Sequence, residues 1–315
     1  MLCFLAGDVF GKGMERQGEG RFWVNSPIAP YVIISYMPTT NIIRALVNLA
    51  TARNFDLPDG PQGANRITTV GAPLECFIRD AFCNSAQITD LREKETAHRE
   101  HLSYLGNSKN PPDFVIRAGD AVEVKKIENP LSGIALNSSY PKDHIYVDDP
   151  MLSAGCRDCE EGWQQKDLIY AIGVVSENTI QSLLFVYGDC YAANREVYER
   201  IKQRIIAGVA QSEEVEFSDT NELARVNQVD PLGITYLRVR GMWGIENPRR
   251  VFADLNFNSR EGRPLVATIM LRSKFESFPT EDRNALAQAA DRIEDIQIRN
   301  PNNPAQMLDA KLIVL

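Results

Sequence analysis

No apolar run in the chain reaches the roughly 18–20 residues that a membrane-spanning helix needs, so nothing in the sequence places it in a bilayer. The opening stretch, MLCFLAGDVFGKG, has a short apolar patch with no basic segment ahead of it, which argues against a secretory leader. Internal repeats, low-complexity tracts and an obvious linker are missing as well. Positive charge is not in excess. The net charge is −8, which argues against attraction of the whole surface to nucleic acid and leaves room for a local basic face. Six cysteines in 315 residues make no disulfide framework and read as free thiols of a reducing, cytosolic compartment. Cys156 and Cys159 form a lone C-x-x-C, with no second pair and no H-x3–5-H to match it. Zinc there would need two more ligands brought by the fold, from Cys76, Cys83, Cys190 or His144. The alternative is a tight loop before the strand at Asp167.

What is present is an ordinary globular composition, 44% apolar and 24% charged, in a length that can bury one large core or two small ones. The first 38 residues are punctuated by Gly and Pro and take no assignment. Apolar spacing predicts helices over 40–53, 73–83 and 88–105, with a loop over 54–72. A long polar connection is expected over 128–146. Nearly continuous apolar runs predict buried strands over 167–175 and 182–188, joined through Ser176-Glu177-Asn178. A helix over 192–209 follows, then strands over 235–240, 249–254 and 265–272, and a last helix over 280–296. Helices, a mixed sheet, a helix and more strands, in that order, describe a single α/β (α+β) domain.

The stretch 112–126, PDFVIRAGDAVEVKK, carries the most chemistry. Two apolar-rich runs flank Ala118-Gly119-Asp120, so a β-hairpin is expected. Period-two alternation puts Glu123 and Lys125 on one face and Val124 and Lys126 on the other. The hairpin can bring Asp113 beside Glu123. Two carboxylates and a lysine on one strand edge suit Mg²⁺ and a scissile phosphate, because Mg²⁺ prefers oxygen ligands and needs only one or two carboxylates besides substrate and water. Asp113, Glu123 and the backbone carbonyl of Val124 would be ligands. Lys125 would orient or deprotonate the attacking water, or stabilise charge. Glu75, on the helix before the hairpin, is a candidate third acid. The spacing alone also fits a cross-strand ion pair. Residues 238–274 are net +5 within the acidic chain, and seven of the eight cations there are arginine, which suits bidentate contacts to phosphate or guanine.

Glu75, Pro112-Asp113 and Glu123-Val124-Lys125 occur in the order of the PD-(D/E)XK nuclease core, which the chain resembles. More narrowly, GAPLECFIRDAF (71–82), PDFVIRAGDAVEVKKIE (112–128), IALNSSYPK (134–142), WQQKDLIYAIGVV (163–175) and LRVRGMWGIENPRRVF (237–252) are similar to type II restriction endonucleases of the NgoPII-like group. The resemblance implies a mixed central sheet flanked by helices, with a core over about 70–255 and additions at both ends. It also implies a bacterial, cytoplasmic homodimer that cuts double-stranded DNA at a short, GC-rich palindrome with Mg²⁺. The ends would carry 5′-phosphate and 3′-hydroxyl groups, and a cognate DNA methyltransferase would belong to the same system. DNA contacts would fall to Asn137, Ser138, Ser139 and Lys142 on the loop leaving the catalytic strand. Lys166 at the next strand, and Arg238, Arg240, Arg249 and Arg250 around Gly241-Met242-Trp243-Gly244, would add others. A structure- or damage-directed nuclease on the same core, or a DNA-binding module without catalysis, are the alternative readings.

Overall fold

A polar residue outside each of the first two capped helices sets where the described chain begins to coil. Asn41 accepts the Arg44 N–H at 3.0 Å and starts α1 (Ile42–Thr51), whose Ile42, Ile43, Leu46 and Leu49 form one buried stripe. Helix α2 (Ala72–Cys83) follows, and Asp90 caps α3 (Leu91–His101). The structure, a computed structural model, describes residues 39–57, 72–107, 110–210, 216–217, 223–227, 229–232, 234–258 and 262–315. The reading of the first 38 residues, most of the loop over 54–72, and Arg260 and Glu261 of the basic stretch lie outside them.

The strands then come in quick succession: β1 (Leu102–Asn107), β2 (Asn110–Ile116), β3 (Ala121–Ile127), β4 (Ile134–Asn137) and β5 (His144–Tyr146). A short helix α4 (Ala154–Arg157) leads to the two long strands β6 (Gln165–Ser176) and β7 (Thr179–Tyr187). Glu177 and Asn178 turn between them, both at positive φ (48° and 64°), the conformation a two-residue hairpin loop needs. Helix α5 (Arg195–Ala210) precedes the small strands β8 (Glu216–Phe217), β9 (Ala224–Asn227), β10 (Leu237–Val239) and β11 (Trp243–Ile245). The chain closes with α6 (Pro248–Val251), β12 (Leu265–Leu271), α7 (Arg272–Ser277), α8 (Thr280–Ala289), β13 (Arg292–Asn300) and β14 (Asn303–Val314).

One mixed sheet dominates, in the order β1-β2-β3-β6-β7-β12-β14-β13, with β5 added beside β6. The β3–β6 and β7–β12 pairs are parallel and the others antiparallel. Strands β6, β7 and β12 are buried almost throughout, which explains their unbroken apolar runs. Helix α1 packs between α2 and α8. This is the mixed α/β architecture, a central sheet flanked by helices, that the sequence implied.

Four expectations need correction. The helix predicted over 88–105 stops at His101, and Leu102 onward pairs with β2 as an edge strand. The helix over 280–296 stops at Ala289, and 292–300 pairs along β14. The strand over 249–254 is instead the helix α6, with Asn247 as its cap (3.0 Å to the Arg249 N–H) and Pro248 in its first turn, where a missing N–H costs nothing. The polar connection over 128–146 contains β4 and β5.

Candidate active site

The hairpin pairs Phe114 with Val122 and Val115 with Ala121. One residue further out, Asp113 reaches across to β3, where its Oδ2 accepts the Val124 N–H at 2.6 Å. Ala118, rather than Gly119, takes the left-handed position of the turn, with φ at 54°. The turn is tied from outside, since Glu160 accepts the Ala118 N–H at 2.9 Å and the Lys166 ammonium donates to the Gly119 carbonyl at 3.1 Å. On the other side, the β1–β2 register is irregular around Gly106. A Cβ on Gly106 would stand 2.4 Å from the Pro112 carbonyl oxygen and 2.9 Å from Asp113 Cα. Glycine alone therefore lets the edge strand lie against Asp113.

Glu123 and Lys125 share a face, as the alternation required, and the Lys125 ammonium donates to Glu123 Oε1 at 2.6 Å. The other carboxylate oxygen, Oε2, is buried with no hydrogen-bond partner among the described residues. A buried carboxylate oxygen without a donor is costly unless something else binds it. Burial pushes the Asp113 carboxyl well up, and the charges of Glu123 and Glu75 push it further. Burial also raises Glu75, opposed by Arg79 one turn along α2 and reinforced by Glu123. For Lys125, burial acts to lower the pKa, but Glu123, Asp113 and Glu75 outweigh it and hold the ammonium above its ordinary value. These mutual effects put all four sequence-predicted groups in one electrostatic neighbourhood. Helix α2 brings Glu75 there by docking closely: a Cβ on Gly173 of β6 would stand 2.7 Å from Leu74 Cδ2. Two acids and an unsatisfied oxygen form a hard, oxygen-only donor set of the kind a divalent cation takes. Among the described residues no group of three His, Cys, Asp or Glu side chains is set to hold a metal unaided. That also leaves Cys156 and Cys159, at α4, without the further ligands zinc would need. Hydrogen bonding from Cys156 lowers Cys159 to about 7, and Cys156 is raised in turn.

The residues read as DNA contacts divide. Asn137 ends β4 in an exposed position with φ at 54°, Ser138 is exposed, and Ser139 lines a small cavity with Glu123. Strand β11 pairs with β4, setting Trp243 opposite Asn137, so two of the resemblance segments meet in one ribbon. Trp243 packs edge-on against Tyr140 and Tyr198, whose rings stack at 5.5 Å, so it is part of the framework under the loop. Arg238 and Arg240 are exposed on and beside β10, in a separate three-stranded sheet, and Arg250 is exposed on α6. Arg249 is half-buried there. Lys142 and Lys166 are both engaged within the protein. Lys142 is buried in an ion pair with Asp149, and Lys166 is buried against Glu160 at 2.7 Å. Charge buried in a protein is kept by its partner. The basic stretch is likewise no single face: Arg272 pairs with Asp295, and Lys274 with Asp120 and Asp167.

That last pair belongs to a cluster that sequence reasoning missed. Lys274 of α7 bridges Asp120 (2.7 Å) and Asp167 (2.5 Å), Tyr187 donates to Asp120, and His144 lies between Asp143 and Asp167 at 3.2 Å from each. Its members are far apart in the chain, and no spacing signals it. It locks the start of β3 to β5, β6 and α7.

The model of the NgoPII restriction endonuclease family matches residues 40–302. A protein of Neisseria gonorrhoeae, named type II restriction enzyme NgoPII, is 44% identical over 275 residues, covering 87% of this chain and 98% of that protein. No solved structure matches the chain.

Proposed function

The chain belongs to the NgoPII restriction endonuclease family, and from that premise we propose that the β2–β3 hairpin is its cutting centre. It is a type II restriction enzyme, a site-specific deoxyribonuclease acting on DNA. In the proposed arrangement Asp113 and Glu123 hold Mg²⁺, with the Val124 backbone carbonyl as a further ligand. When bound, the ion neutralises phosphate charge and makes a water more acidic. The observation that carries the reading is Glu123 itself, with one oxygen on Lys125 and the other buried and unpartnered.

Lys125, held on Glu123, is placed to stabilise developing charge or to help orient and deprotonate the attacking water. Its ammonium donates toward the phosphate oxygens as water adds to phosphorus and the bond to the 3′ oxygen breaks. The products carry 5′-phosphate and 3′-hydroxyl ends. The Val124 N–H keeps Asp113 turned toward Glu123. Glu75 adds negative charge behind the pair and strengthens its hold on a cation. Asn137, Ser138 and Ser139 read base edges or phosphates from the loop after β4, together with Arg238, Arg240, Arg249 and Arg250. The target is a short GC-rich palindrome, bound by a cytoplasmic homodimer in a bacterium whose cognate methyltransferase protects the same site. Among the described residues no helix is long and apolar enough to cross a membrane. Incubating the protein with plasmid of known sequence tests the reading. Mg²⁺ should give discrete fragments whose ends ligate without kinase treatment, and a chelator should prevent them. Nicking confined to branched or damaged duplexes would contradict it.

A further inference from the structure

Tyr170 stands directly beside Glu123: the two are register partners of the parallel β3–β6 pair, so their side chains leave the sheet on the same face. Tyr170 is 2% exposed and its ring is packed edge-on against Tyr191 at 5.7 Å. Its hydroxyl accepts the backbone N–H of Lys142 at 2.7 Å, a fully buried bond to the end of the loop that begins at Asn137. Because that bond uses an acceptor position, the hydroxyl proton is left to donate. The space next to it is a cavity of about 10 Å³, enough for one water, lined by Glu123, Tyr170, Ser139, Tyr140 and Lys142 among others. Glu123 Oε2 is the buried acceptor without a donor.

We propose that Tyr170 is a positioning residue that couples the 137–142 loop to the Glu123 carboxylate. Its hydroxyl takes the loop backbone on one side. On the other it donates toward Glu123, through a single water in the shared cavity. A loop seated correctly on its DNA sequence thereby fixes the hydroxyl, and the hydroxyl fixes the carboxylate that holds the metal ion. A loop displaced by a wrong base turns the hydroxyl away. This rests on the reading of Glu123 as a metal-holding group and adds to it a route from base recognition to cleavage.

Tyr170→Phe tests it, since it deletes the oxygen and keeps the ring packing. Groups that orient a metal ligand typically change affinity or activity by about 10–100-fold. With cognate duplex in excess, the cleavage rate constant of Tyr170→Phe should fall within that range while KM for DNA holds. Calorimetric titration of the DNA complex with Ca²⁺, which reads ion binding without turnover, should show a matching loss of affinity. The ratio of cleavage rates on cognate and one-base-changed duplexes should narrow. Tyr187→Phe, which removes an equally buried hydroxyl bonded to Asp120, should lower the melting temperature and leave rate and ion affinity unchanged. Wild-type rate, ion affinity and discrimination in Tyr170→Phe would overturn the proposal. So would failure of that variant to fold, which would make the hydroxyl a purely structural element. Glu123→Gln separates the two claims: if it cuts at the wild-type rate, the site assignment itself fails. If it is inactive while Tyr170→Phe is normal, only the coupling fails.

Discussion

Asp113 is a carboxylate held where its ionised form is disfavoured, first by burial and then by the charges of Glu123 and Glu75. A carboxyl whose pKa is raised on folding contributes most below its unfolded value, and that contribution is lost as pH rises through the folded value. At neutral pH the site therefore works against stability, as functional carboxylate clusters often do. Asp113→Asn, which can still accept the Val124 N–H, should abolish cleavage and raise the melting temperature at pH 7 by roughly 2–4 °C, the shift that about 1 kcal/mol gives at this size. The gain should shrink on acidification, as wild-type Asp113 takes up its proton. Added Mg²⁺ should stabilise the wild type more than the variant. Scanning calorimetry over a pH series checks all three. At this scale the sequence was most legible for Asp113, Glu123 and Lys125, which lie together because period-two alternation and a short turn leave a hairpin few arrangements, whereas Glu75 is brought near them by the docking of α2. Lys142 and Lys166 were not legible as internal ion pairs, because their partners Asp149 and Glu160 lie in loops whose paths no periodicity sets.

Among the elements, β1 and β5 hold the site from outside the hairpin, and each gives a prediction. Gly106→Ala forces a methyl group against the Pro112 backbone, which cannot yield as a side chain could. Overpacking of this kind costs about 1–3 kcal/mol. Chemical denaturation should show that loss, and the displacement of Asp113 should cut the cleavage rate more than the stability loss alone explains. On β5, the hydrogen bonds that the His144 ring donates to Asp143 and Asp167 push its pKa up to about 10. A histidine raised in this way stabilises fully below about pH 6.5 and loses its contribution as pH climbs through about 10. The melting-temperature gap between wild type and His144→Gln should be widest near pH 6 and close as pH passes about 10. The elements misread from sequence share a cause. Residues 88–105 and 280–296 carry no Gly or Pro where helix gives way to strand, so local signals run on, and only pairing with β2 or β14 ends them. Residues 249–254 were the reverse case, where Asn247-Pro248 was a helix-start signal outweighed by the apolar residues that followed.

For the whole molecule, the net charge is −8, and within the 238–274 stretch Arg272 and Lys274 are engaged by Asp295, Asp120 and Asp167, which leaves Arg238, Arg240 and Arg250 among its exposed cations. DNA binding should rest on few phosphate contacts, so binding to unrelated duplex should be weak, and its logarithm should fall with the logarithm of salt by only about 0.9 per contact. A palindrome is cut alike on both strands by a two-fold pair of sites, so sedimentation should give twice the 35.3 kDa chain mass. All of this depends on the hairpin at 112–126 being the cutting centre, which single-turnover cleavage by Glu123→Gln tests most directly. That substitution keeps the shape of the side chain and removes the charge that binds Lys125 and that, in the proposed arrangement, would hold the metal ion. Cognate duplex should still be bound by Glu123→Gln and should remain uncut in Mg²⁺ over times in which the wild type finishes. Cutting at the wild-type rate and position would contradict the assignment.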